Sequence, residues 1–141
     1  MQRYPEGVDC VWLAVDDRGM LAGFITAGSG PIPGSVLAHA TDVADIEGLL
    51  QDLLPAASEA SLRVEIPKAD SYLALCRRGF HVYDWTDIHA SAARSKGTYE
   101  LVAVPSKPLF VGQLPAELRI LACPVADGQL IGAERIDVRS E

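Results

Sequence analysis

The chain has 141 residues, of which 49% are hydrophobic and 22% charged, and its formal net charge is −7. That length suits one globular domain over residues 1–141 with a core that needs no staples, and the composition excludes a disordered chain. The acidic excess lies in residues 1–76, with 4 basic and 11 acidic side chains against 8 of each in residues 77–141. The absence of a dense basic run excludes nucleic-acid binding through phosphates.

Residues 1–7 are polar, and no apolar signal segment follows them. The longest apolar run, residues 10–15, is too short to span a bilayer. The expected location is therefore cytoplasmic, with no membrane partner. Residues 10–15 (CVWLAV) predict a buried strand, Asp16 to Gly19 a turn, and residues 20–26 (MLAGFIT) a returning strand with Gly23 marking a bulge or a close backbone approach. Residues 27–35 (AGSGPIPGS) read as loop.

Thr41 and Asp42 can cap a helix over about residues 42–54, with Val43, Ile46, Leu50 and Leu53 on one stripe. Asp42, Asp45 and Asp52 lie off that stripe. Leu62, Val64 and Ile66 alternate with Arg63 and Glu65, as in a half-exposed strand. Residues 68–78 read as a second helix stopped by Gly79, and residues 80–86 and 98–104 as strands. Residues 114–118 suggest a short helix, and residues 130–138 a last strand. Hairpins outnumber crossovers in this reading. The expected fold is thus α+β, a mostly antiparallel sheet of about five or six strands with two main helices packed on one face; the alternative is a mixed sheet with a parallel pair across a helix. Cys10, Cys76 and Cys123 are widely spaced, which fits buried free thiols and neither a disulfide framework nor a zinc motif.

The bend Gly28-Ser29-Gly30-Pro31-Ile32-Pro33-Gly34-Ser35 superficially resembles a phosphate loop. Pro31 and Pro33 lack the N–H groups such a loop aims at an anion, and no Lys-Ser/Thr pair follows. A rigid corner is the better reading. The chemically densest stretch is FHVYDWTDIHA, residues 80–90. In an extended chain His81, Tyr83, Trp85, Asp87 and His89 share one face, and Phe80, Val82, Asp84, Thr86 and Ile88 the other. Asp84, Asp87 and His89 form a candidate polar site for acid–base work. Asp87 and His89 with His39 or His81 would give two imidazoles and a carboxylate for a metal. No catalytic or metal signature accompanies them, so no cofactor is expected. Packing is the plainer role for Tyr83 and Trp85.

The stretches VWLAVDDRGMLAGFITAGSGPIP, RRGFHVYDWTD and YELVAVPSKPL together resemble a group of small bacterial proteins without an assigned activity, akin to the immunity proteins of bacterial toxin systems. The resemblance spans about residues 8–120. It implies a cytosolic protein that binds another protein, such as a basic toxin domain, and assigns no residue a role. The acidic first half and this resemblance make a non-enzymatic, immunity-type binding module the leading expectation. Its candidate contacts are Asp16, Asp17, Asp42, Asp45, Asp52, Tyr83 and Trp85. The alternatives are a small-molecule or metal-binding domain, or a small enzyme, using Tyr83 to His89, and a homo-oligomer pairing through residues 129–138.

Overall fold

The computed structural model describes residues 1–65, 69–85 and 98–138. Strands β1 (Val11–Val15) and β2 (Leu21–Ile25) form the expected antiparallel hairpin. Gly19 takes a φ of 84° in its turn, a conformation glycine adopts without a Cβ clash. Short α1 (Gly34–Leu37) follows, then a 3₁₀ turn over Val43–Asp45 that runs into α2 (Ile46–Leu53). The Asp42 carboxylate accepts the Ala44 N–H at 2.9 Å and so starts this helix. Next come β3 (Ala60–Leu62), α3 (Asp70–Cys76), β4 (His81–Trp85) and β5 (Tyr99–Pro105). The chain continues through α4 (Ala116–Arg119), β6 (Cys123–Pro124) and β7 (Arg135–Ile136).

The fold is α+β, but its seven-stranded sheet is mixed and not mostly antiparallel. The strand order is β3-β5-β4-β2-β1-β6, with β7 also paired to β5. β2 runs parallel to β4, and β1 parallel to β6. The crossover from β2 to β4 carries α2 and α3, which is how a parallel pair is joined. β6 was not expected from the sequence. β3 begins earlier than the alternation of Leu62, Val64 and Ile66 implies, and Leu62 and Val64 are exposed. Only α2 and α3 among the helices are long, as expected. They lie side by side, with the Arg78 guanidinium donating to the Leu54 carbonyl at 3.1 Å.

The two faces of the sheet are packed differently. On the helical face Gly23 lets α3 come close, since a Cβ there would lie 2.6 Å from Leu75 Cδ2. On the opposite face Trp12, Phe24, Tyr83 and Tyr99 are all fully buried. Phe24 stacks between Trp12 and Tyr83 at centroid separations of 4.5 and 4.9 Å, and Tyr99 meets Phe24 edge-on at 4.8 Å. Pairs of this kind add about 0.5–1.5 kcal/mol each beyond their buried area. The glycine–proline bend and the segment 131–133 cover this aromatic layer. Tyr99 donates to the Pro31 carbonyl at 2.9 Å, and Tyr83 donates to the Ala133 carbonyl at 2.6 Å.

Candidate functional site

Three of the expected partner contacts lie in this packed region. Tyr83 sits in a central strand between β2 and β5, and its hydroxyl also accepts the Gly132 N–H at 2.9 Å. It is fully buried, so it offers nothing to a partner. Trp85 is half-buried and meets Tyr99 edge-on at 5.2 Å. Asp16 is 6% exposed, which removes it from any interface. One of its oxygens accepts the N–H groups of Arg18 and Met20 at 2.9 and 3.1 Å. The other accepts the Arg18 guanidinium at 2.7 Å and the Ile131 N–H at 2.9 Å. Arg18 in turn donates to the Ile131 carbonyl at 2.6 Å. The pair therefore fixes the returning C-terminal segment on the hairpin turn. Burial pushes the Asp16 carboxyl up, but the Arg18 hydrogen bond and the three backbone N–H groups outweigh it and hold it below its usual value.

The other expected carboxylates are on the surface. Asp17, Asp42, Asp45 and Asp52 are exposed. Asp42 caps the 3₁₀ turn that leads into α2, Asp45 ends that turn, and Asp52 lies in the last turn of α2. Asp9 and Glu47 extend the same acidic region, because the charges of Asp9, Asp42 and Glu47 all act on the Cys10 thiol, which burial first of all pushes up. Among the described residues the ion pairs are Arg18–Asp16 and Arg135–Glu100, so none of the α2 carboxylates is matched by a lysine or arginine.

Of the candidate polar site, Asp84 is described, while Asp87 and His89 lie outside the described residues. The structure places Asp84 on the helical face of β4, beside Tyr72 of α3 and opposite the face of Tyr83. It is buried, and its Oδ1 has no hydrogen-bond partner. Burial pushes its carboxyl up to about 6; the Tyr72 hydroxyl opposes that shift, and the charges of Asp9 and Glu100 add to it. Burial, with the Asp84 charge, raises the Tyr72 phenol to about 12. Sequence reasoning did not single out Tyr72, since a tyrosine in a short helix carries no signal of its own. His81 is buried with Nδ1 unpartnered. Burial lowers its pKa, as does the Arg18 charge, with Asp16 acting the other way. Among the described residues no three His, Cys, Asp or Glu side chains converge on a metal-sized site.

The glycine-rich bend also has no backbone donors aimed outward at its start. Ala27 N–H goes to Asp9, Gly28 N–H to the Thr26 hydroxyl, and Ser29 and Gly30 N–H to the Thr26 carbonyl. These bonds support the rigid-corner reading over an anion cradle. No helix among the described residues is long and apolar enough to cross a membrane. Comparison with protein-family models, with curated proteins and with solved structures finds no match.

Proposed function

We propose that the protein is a non-enzymatic binding module of the immunity type, which meets a basic protein through the acidic surface at α2. The observation that carries this reading is the set of exposed carboxylates Asp42, Asp45 and Asp52, none of them in an ion pair among the described residues. An uncompensated patch of one sign steers a partner of the opposite sign and speeds encounter. Asp17 and the exposed part of Trp85 are further contacts in this reading; Asp16 and Tyr83 are not. The resemblance to immunity proteins supports the same class, with a basic toxin domain as the partner. A stable complex of this kind buries about 1,200–2,000 Å².

The test is capture of partners on the immobilised protein at low and high salt, followed by association kinetics with the purified partner. A stoichiometric basic protein whose association rate falls steeply with salt supports the proposal. A partner bound with a salt-independent rate rejects it.

A second reading rests on Asp84, whose unpartnered Oδ1 is unusual for a buried carboxylate. A small-molecule site at the end of β4 would use this oxygen with the Tyr72 hydroxyl. Exchange of the Asp84 carboxyl titration on adding a ligand, followed by carbon-detected NMR, separates this reading from the first.

A further inference from the structure

A cleft of about 400 Å³ opens between the glycine–proline bend and the C-terminal segment. That volume lies within the range of small-ligand sites, about 300–1,000 Å³. Its apolar walls are Trp12, Pro33, Val125 and Val138. Its polar lining includes Ser35 and Cys123, whose side-chain oxygen and sulfur lie 3.3 Å apart and partner each other. Gln129 and Asp137 complete the polar side. The Gln129 amide holds the Asp137 backbone at two points, donating to its carbonyl at 3.1 Å and accepting its N–H at 2.8 Å. The Asp137 backbone is thereby fixed in place, while its side chain is exposed and forms no ion pair among the described residues. Among the described residues no lysine or arginine lines the cleft, and the formal charge they place on its wall is negative.

From apolar walls and an exposed carboxylate on a fixed stretch of backbone, unpaired among the described residues, we infer that this cleft binds an ammonium or guanidinium group carried on an apolar stem. The stem lies against Trp12, Val125 and Val138, and the cation sits at Asp137. The site uses none of the carboxylates of α2 and stands whether or not the acidic surface binds a protein. The same chemistry has two sources, a free small amine or a lysine or arginine side chain of another protein.

The experiment is a titration of the ¹⁵N-labelled protein at low ionic strength, followed by amide NMR shifts. The probes are benzylamine, benzyl alcohol as its neutral counterpart, and N-acetyl-lysine methylamide. Saturable shifts centred on residues 124–126 and 137–138 with benzylamine, and weaker binding of benzyl alcohol, are expected. Asp137→Asn weakens benzylamine about threefold to fivefold and leaves benzyl alcohol unchanged, as suits an exposed charge pair. Val125→Trp fills the cleft and abolishes the shifts. Tighter binding of the lysine amide than of benzylamine assigns the site to a protein side chain, and the reverse assigns it to a free amine. Equal binding of benzylamine and benzyl alcohol, no effect of Asp137→Asn in a folded variant, or no saturable shifts with any probe overturns the inference.

Discussion

Gly30 is pressed against Tyr99: a Cβ at position 30 would lie 2.5 Å from the Tyr99 hydroxyl oxygen and 2.8 Å from Trp85 Cβ. The contact explains the bend. Its glycine permits the approach, Pro31 presents a carbonyl to the Tyr99 hydroxyl, and Tyr4 closes the other side by donating to the Gly30 carbonyl at 2.6 Å. Gly30→Ala must push the bend off the aromatic layer and is expected to cost about 1–3 kcal/mol, as overpacking does. Tyr99→Phe leaves the half-buried Pro31 carbonyl without its donor and the buried Trp12 Nε1 without its acceptor, and costs about 1–3 kcal/mol. Urea denaturation of both variants checks this. Stabilities within experimental error of the wild type would show that the bend is not seated on Tyr99.

Asp16 and Arg18 give the fold an acid-sensitive latch. The Asp16 pKa is lowered in the folded state, so its contribution is present above the unfolded carboxylate range and is lost as pH falls through the folded value. Asp16→Asn removes hydrogen bonds to a charged group and is expected to cost about 1.5–3 kcal/mol at neutral pH. The difference from wild type should shrink on acidification. A difference that stays constant down to low pH would place the stabilisation elsewhere.

Asp84 has the opposite sign. Its folded value of about 6 lies above its ordinary 3.8, so its neutral form is the one the fold favours. The contribution is complete below about pH 4 and is lost as pH rises through about 6. Asp84→Asn keeps the neutral shape and removes this penalty. The variant is expected to gain about 1–3 kcal/mol over wild type at pH 8 and nothing at pH 4. Thermal denaturation across that range decides it, and a variant less stable than wild type at pH 8 would contradict the assignment.

Local signals made the hairpin, α3 with its Gly79 stop, and β4 and β5 legible in the sequence. Turn glycines, strand alternation and helix caps act over a few residues. The mixed sheet was legible only as the alternative to an antiparallel one, because the pairing of Gly23 with Val82 joins positions far apart in the chain and leaves no local mark. Asp16 reads as an exposed turn residue until Ile131 returns to cover it. Packing was the plainer reading of Tyr83, and its central place in the sheet and full burial agree with it. The mix of apolar and polar residues in FHVYDW signalled a strand but not its burial on both faces, since alternation of that kind marks a half-exposed strand. Asp42, Asp45 and Asp52 are exposed, as their place off the apolar stripe implied.

The central claim is that Asp42, Asp45 and Asp52 recruit a basic partner. The most direct test compares partner capture by wild type and by the triple variant Asp42→Asn, Asp45→Asn, Asp52→Asn. Asparagine at position 42 keeps a side-chain acceptor for the Ala44 N–H, so the charges go while the helix cap stays. The account predicts that wild type retains a stoichiometric basic protein at low salt, and that the variant or high salt weakens its association rate about tenfold or more. Equal capture and equal association rates for the two baits, or no retained protein at either salt, would contradict it.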